Sequence, residues 1–447
     1  MTGVIKNHPT ALQTTLGIKL GRSNKLINTM QSFGVTCSYD EILRFRRSAA
    51  RAASNQRSSP GIVDAATGLI QVVADNFDAD ISSQNGKVSA HSLAVLITQP
   101  ETGTETDILI PDTIKRIAKA EMSEPVEYDI DIQRYSGPKK PRMPANAAVK
   151  TVLPLKVLAQ RVVSKPRAEE TDFAFIQDVW NKPECPEYNG YNVSLARDQG
   201  QSPMPKTKTA YLPLIDLVPS HPDTIMTAMA EAQELTQRTG QEFALITCDL
   251  QLYKVALDVK WAYPEWFSKV IPRLGVMQSL MSFVGSIRTL MANSGLSEIL
   301  NDVFGGVDKM LIGKKFPQNI RTLRMLAEVI LQGPLDDHTL GSYAELMEVL
   351  EDLAERSRTA KLWVDVLIKP VFIMMMFVRA EREGDWPLHL EAFEQMIPYF
   401  FASGHVHYAR YSLCYLRSME ALPEQVLTRF MKGEHVMRHQ RGMWNSI

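Results

Sequence analysis

Residues 68–80 read GLIQVVADNFDAD, and residues 242–253 read EFALITCDLQLY. Each is a short apolar run that ends in an acid, Asp75 and Asp78 in the first and Asp249 in the second. Runs of this length, rich in Val, Ile and Thr and closed by turn residues, predict strands buried on both faces. The turn residues Gln84-Asn85-Gly86 follow the first run, and SAHSLAVLITQ (89–99) comes next, which predicts a hairpin. If the 69–75 and 243–249 strands lie side by side in one sheet, Asp75 and Asp249 converge at its edge. Two carboxylates a few ångströms apart repel unless a cation lies between them, and Mg²⁺ or Mn²⁺ suits such oxygen ligands. The competing reading is that strands often end in Asp simply to make a turn.

Outward from these strands the character changes in both directions. Residues 1–60 read as helical and locally basic. A helix over Arg22–Ser32 breaks at Phe33-Gly34-Val35, and Ser38 with Glu41 forms a capping-box signature for a second helix, YDEILRFRRSAARAAS (39–54). Arg44, Arg47 and Arg51 recur on that helix three and four residues apart, as on one face. The pair fits a DNA-reading helix-turn-helix or a plain solvated helical hairpin equally well. Residues 61–262 form the sheet region, interrupted by polar stretches at 100–147 and 159–206. A further apolar stretch, AVKTVLPLKVL (148–158), reads as a third strand, and HPDTIMTAMAEAQELTQRTG (221–240) as a helix closed by Gly240. Residues 263–447 read as all-helical, with Pro370 marking a kink. The fold class expected from pattern is therefore α/β plus all-α: a mixed sheet, a large C-terminal helical block and an N-terminal helical hairpin.

Composition narrows the function. The 447 residues carry 49 Lys and Arg against 50 Asp and Glu, so nucleic-acid binding must come from local patches rather than a global field. Four scattered cysteines without a CxxC pair argue against a disulfide scaffold and for a reducing compartment, nuclear or cytoplasmic. The longest apolar run, Pro370–Val378, is too short to span a membrane, and no secretory signal opens the chain. GKKF (313–316) fails as a phosphate loop because Asp308 and Lys315 stand where Gly and Ser or Thr belong. Lys314 and Lys315 nevertheless form a basic cluster with Arg321 and Arg324 that can meet a phosphate backbone. His435 and His439, four apart, lack the Glu of a zinc-protease helix, and His405 and His407 read more simply as core or cap histidines.

Several long strings occur together: RYSGPKKPRMP (134–144), YLPLIDLVPSHPDT (211–224), ITCDLQLYKVALDVKW (246–261), RLGVMQSLMSFVGSI (273–287) and GDWPLHLEAFEQMIPYFFASGHVHYARY (384–411). They resemble a family of transposon-derived open reading frames of animal genomes, which look like DDE-type transposases with an RNase H-like catalytic core. The resemblance implies that the helical block is an insertion in that core and that DNA is the partner, with a homo-oligomer compatible with this. It implies adjacent, parallel 69–75 and 243–249 strands, with Asp75 and Asp249 as Mg²⁺- or Mn²⁺-binding acids. Two departures stand out. The family's Arg-Leu-Gly-Gly-x-His string here ends in Gln278, and the third acid is either beyond Ile447 or Glu328 on the helix NIRTLRMLAEVILQG (319–333). Both weaken the expected strand-cleavage chemistry. The alternative is a non-enzymatic DNA- or protein-binding module derived from a transposase.

Overall fold

The computed structural model describes residues 24–55, 65–81, 88–100, 115–123, 130–144, 164–181, 190–191, 194–195, 206–304, 316–335 and 340–438. The expected strand at 148–158, the Lys314-Lys315 pair and His439 lie outside these residues. The chain opens with α1 (Asn24–Ser32) and α2 (Tyr39–Asn55), which close on a small core of Ile27, Cys37 and Ile42. The Ser38 hydroxyl accepts the Glu41 N–H at 3.2 Å, satisfying one of the orphan donors at the start of α2.

One five-stranded mixed sheet follows, built from β1 (Gln71–Ile81), β2 (Val88–Pro100), β3 (Thr207–Tyr211), β4 (Ala244–Cys248) and β5 (Val270–Leu274). Its order is β3-β2-β1-β4-β5. β1 and β3 flank β2 antiparallel, whereas β1, β4 and β5 run parallel. β4 and β5 are buried along their whole lengths, as continuous apolar strands of a parallel sheet should be. β5 lies inside the stretch expected to be all-helical, which moves that boundary. Pro272 and Arg273 disguise it in the sequence, and Pro272 is tolerated because β5 is an edge strand. The β1–β4 pairing ends at Ala74 and Cys248, while the β1–β2 pairing runs on to Ile81 and Val88. Beyond Ala74 the hairpin therefore projects as a two-stranded ribbon.

The stretch 159–206, expected to be loop, contains α3 (Ser164–Asn181). Its apolar residues crowd into the C-terminal half and Pro166 sits near its start, so its periodicity is faint, although Pro is harmless in a first turn. α4 (Pro222–Arg238) leads from β3 to β4 and ends at Gly240, whose φ is 81°. α5 (Leu250–Ala262) leads from β4 to β5 and packs on α4 and β5.

Among the described residues the remaining elements are helices: α6 (Val276–Leu290), α7 (Leu296–Phe304), α8 (Phe316–Leu335), α9 (Tyr343–Arg356), α10 (Arg358–Trp363), α11 (Lys369–Glu383), α12 (Trp386–Ala402), α13 (Val406–Glu420) and α14 (Glu424–Met431). A π-helical turn, Val364–Ile368, joins α10 to α11. Pro370, which has no N–H to return to the preceding turn, follows directly, so the expected irregularity is there. Every residue from Pro370 to Glu381 is buried, as befits a helix that is apolar on all sides at the centre of a bundle. Inside it Arg379, 0% exposed, donates to Asp172 of α3 through Nε at 3.0 Å and Nη2 at 2.5 Å.

The helical half folds back on the sheet. α13 packs against α5 and β5, and one hydrophobic core runs from the strands into the bundle. Residues 434–438 then stitch the strand starts together. Leu69 N–H donates to Glu434 Oε2 at 2.7 Å, Thr207 N–H to the Arg438 carbonyl at 2.8 Å, and Gln71 Nε2 to the Glu434 carbonyl at 2.7 Å. Among the described residues no helix is long and apolar enough to cross a membrane.

Candidate functional site

The end of the β1–β4 pairing decides where chemistry can occur. Ala74 is the partner of Cys248 in parallel register. The next residue in each strand is an aspartate, so Asp75 and Asp249 stand level where the core opens to solvent. Asp249 starts α5, its Oδ1 accepting the Leu252 N–H at 2.8 Å. Asp75 Oδ1 accepts the Asn76 N–H at 2.8 Å. Each carboxylate thus spends Oδ1 on its own backbone, and among the described residues Oδ2 of each has no hydrogen bond. The two charges feel one another. Partial desolvation pushes the Asp75 carboxyl above its usual range, the Asn76 N–H opposes this, and the charge of Asp249 adds to the rise. Beneath them, burial together with both aspartates pushes the Cys248 thiol far up, so Cys248 is an inert core residue.

Two further groups frame this edge. The Gly275 N–H donates to the Cys248 carbonyl at 2.7 Å at the end of β5. Gln278 folds over that turn so closely that a Cβ on Gly275 would collide with its Oε1, an atom that is buried without a hydrogen-bond partner. Tyr408, at the start of α13, has its phenol pushed up by burial and by the charge of Asp249. Sequence reading missed Tyr408. Its only signal was membership of the His-rich string at 404–408, which gives no hint that α13 returns to the sheet.

The other expected residues lie elsewhere. Asp78, on the opposite face of the ribbon from Asp75, faces His91 across β2, with Oδ1 and Nδ1 2.7 Å apart. Glu328 is buried on α8 and pairs with Arg324 at 3.4 Å, while its main-chain carbonyl accepts the Trp180 indole N–H of α3 at 3.1 Å. Burial raises its carboxyl and Arg324 counters this. The structure brings Asp75 and Asp249 together without it. Among the described residues no group of three or more His, Cys, Asp or Glu side chains is placed to hold a metal ion.

Of the three α2 arginines expected in a solvent-facing row, Arg44 is the one largely buried. Arg44 has a side chain only 15% exposed, and its Nε donates to the Ile117 carbonyl at 2.5 Å. Arg51 pairs with Glu121 at 2.5 Å. Arg47 is half-buried, and Arg46 is the exposed one. These side chains fasten residues 115–123 to the helix, a role that exposed charges on an isolated hairpin would not have. An ordered basic loop stands free instead. Lys139, Lys140 and Arg142 are exposed, and the loop is anchored by the Tyr135 N–H to Asp223 Oδ1 and the Ser136 N–H to Tyr263 Oη, both at 2.9 Å.

Of the candidate histidines, His435 is buried, His405 is half-buried and His407 is exposed. His405 Nδ1 lies 2.6 Å from Ser403 Oγ and 3.2 Å from Ser286 Oγ. His435 is buried against Trp386 and Phe430.

Residues 187–341 and 334–447 match the model of a family described as a domain of unknown function (DUF8702). No curated protein and no solved structure matches the chain.

Proposed function

The chain belongs to the DUF8702 family, and we propose that it is a transposase-derived DNA-binding protein whose sheet is an RNase H-like core. On this reading the helical block is an insertion after β5, and Asp75 with Asp249 is what remains of a divalent-metal carboxylate site. The observation that carries the proposal is the level placement of the two aspartates, at the open end of adjacent parallel strands, in a sheet ordered β3-β2-β1-β4-β5. The adjacent, parallel β1 and β4 are in keeping with what the family resemblance implies.

The donor set suits Mg²⁺ or Mn²⁺. Both are hard cations that accept one or two carboxylate oxygens and complete their shells with water and substrate phosphate. Asp75 Oδ2 and Asp249 Oδ2 would hold the ion, which when bound stabilises the attacking and leaving oxygens of a phosphodiester. The chain's own contribution is placement. The α5 cap fixes Asp249, the β1 register fixes Asp75, and Gln278 and Tyr408 wall the edge. With no third acid beside them among the described residues and Gln278 in the place of histidine, cleavage is weak or absent. DNA is held through its phosphates by Lys139, Lys140 and Arg142, with Lys314 and Lys315 as further candidates.

The second reading, a non-enzymatic binding module, draws on that same missing acid. Mn²⁺-dependent nicking of supercoiled DNA separates the two. Cleavage that Asp249→Asn abolishes supports surviving catalysis, and duplex binding without cleavage supports the binding module. Failure to bind either Mn²⁺ or duplex DNA sinks both.

A further inference from the structure

A cavity of about 520 Å³ lies within the helical bundle, between α3, α9, α11 and α12. It is within the size range of small-molecule sites, and neither Asp75 nor Asp249 lines it. Its walls are apolar and aromatic, with Met347, Phe372, Ile373 and Met376 beside the rings of Tyr343 and Tyr399. Two acids from successive turns of α3, Glu169 and Asp172, also line it.

Asp172 is 2% exposed and its hydrogen bonds are one-sided. Arg379 Nε at 3.0 Å, Arg379 Nη2 at 2.5 Å and Tyr191 Oη at 3.0 Å all meet Oδ1. Among the described residues Oδ2 receives no donor, and Glu169 accepts no hydrogen bond. Its nearest cation is Lys165 at 4.0 Å, and that ammonium lies 2.9 Å from Glu391 instead. Lys369, the one cation among the described residues lining the cavity, is held by Asp365 at 3.0 Å. Arg379 therefore meets the charge of Asp172 from the Oδ1 side only, and Glu169 has no closer cation than Lys165.

Two helix irregularities border the same space. The π turn Val364–Ile368 ends at Lys369, and Pro398 interrupts the hydrogen-bond ladder of α12 beside Tyr399. Such π turns are frequent at functional sites.

We infer that this cavity binds a small organic ammonium ion with an aliphatic or aromatic body. Its N–H donors meet Glu169 and Asp172 Oδ2, the faces of Tyr343 and Tyr399 supply cation–π attraction, and the body fills the space among Phe372, Ile373 and Met376. Raised carboxyls on both acids accord with this. Burial, then neighbouring acids, lift Glu169, and burial lifts Asp172 to about 6 despite Arg379. A bound ammonium relieves both.

The test is calorimetric titration of the full chain with phenethylammonium, with 2-phenylethanol as the neutral analogue and phenylacetate as the anion. Phenethylammonium is expected to bind at least tenfold more tightly than the alcohol, and phenylacetate not to bind. Glu169→Gln, at a side chain 27% exposed and outside the Arg379 lock, should cost about tenfold for the cation and leave the alcohol unchanged. Met347→Trp, which fills the cavity from α9, should abolish binding of both. No binding of phenethylammonium at millimolar concentration, equal binding of cation and alcohol, or indifference to Glu169→Gln in a chain that circular dichroism shows folded would each overturn the inference.

Discussion

Arg273 of β5 reaches past β4 to Gln71 of β1, its Nη1 donating to the Gln71 side-chain oxygen at 2.6 Å. The guanidinium is buried, and none of its hydrogen bonds goes to a carboxylate. The His435 carbonyl at 3.3 Å, the Phe430 ring at 4.8 Å, the Trp386 ring at 5.9 Å and the Tyr415 hydroxyl also face it. A buried cation is thus solvated by an amide, a carbonyl, a phenol and two aromatic faces. Replacing Gln71 by Leu strips the strongest acceptor and should cost about 1.5–3 kcal/mol. Arg273→Met added to Gln71→Leu should recover part of that loss, because an apolar side chain needs no acceptor. Urea unfolding of the two single variants and the double variant reads the coupling, and strict additivity would show that the contact contributes nothing.

His435 gives stability a pH dependence whose sign is fixed by burial. Desolvation, helped by His389 and Arg273, holds its imidazole neutral well below the ordinary 6.5. On acidification the unfolded chain takes up a proton that the folded chain refuses, so this group costs stability as pH falls below about 6.5. Asp172 acts oppositely. Its carboxyl, pushed from 3.8 up to about 6, accepts a proton first in the folded chain, which adds stability as pH falls through that range. The two partly cancel in the wild type, so the clean measurement is the His435→Gln difference. The variant should gain on the wild type by up to about 1.4 kcal/mol per pH unit between pH 6.5 and 5. A flat difference would mean that His435 is protonated in the fold.

Asp249 has two duties, and substitutions separate them. Asn caps a helix as well as Asp does, so Asp249→Asn should keep thermal stability within about 0.5 kcal/mol, while Asp249→Ala should lose about 1 kcal/mol. Both should abolish Mn²⁺ broadening of nearby amide resonances. Asp249→Asn should also lower the Asp75 carboxyl pKa, because the charge of Asp249 helps to raise it. An unchanged Asp75 titration by NMR would show the pair to be too far apart to share a cation.

The basic loop makes an ionic-strength prediction. Replacing Lys139, Lys140 and Arg142 with Ser should weaken duplex binding and reduce the slope of log affinity against log salt by about 2–3, near 0.9 per lost phosphate contact. Arg44→Ala and Arg51→Ala should leave the slope unchanged, since those side chains serve Ile117 and Glu121. A slope that responds to the α2 arginines and not to the loop would reverse the assignment.

What the sequence could show followed from local chemistry. Uninterrupted apolar runs exposed β1, β2 and β4, and the Ser38 cap and Gly240 marked helix ends, because each is decided by neighbours in the chain. β5 hid behind Pro272 and Arg273, whose acceptability depends on an edge position and on Gln71, Trp386 and Phe430 far away in sequence. α3 hid because its packing partners, α8, α9, α11 and α12, supply the pattern that its own spacing lacks. Of the candidate site, the two aspartates could be read from strand ends. The inward turn of Arg44, the pairing of Arg51 with Glu121 and the approach of Tyr408 are tertiary facts without a local signal.

The stitching of residues 434–438 to the strand starts bears on how the chain is made. The Leu69 amide waits for Glu434, 365 residues later. At 5–20 residues per second, translation between them lasts roughly 20–70 s. Throughout that time a nascent chain exposes the beginning of β1, together with Gln71 and its neighbours, to whatever else can pair with a strand. The hairpin β1–β2 can form early from local contacts, but the strand starts of β1 and β3 are tied down only as the last described segment leaves the ribosome. Ribosome-bound chains stopped before residue 434 should therefore be bound by chaperones at β1, and chains released just beyond 438 should not.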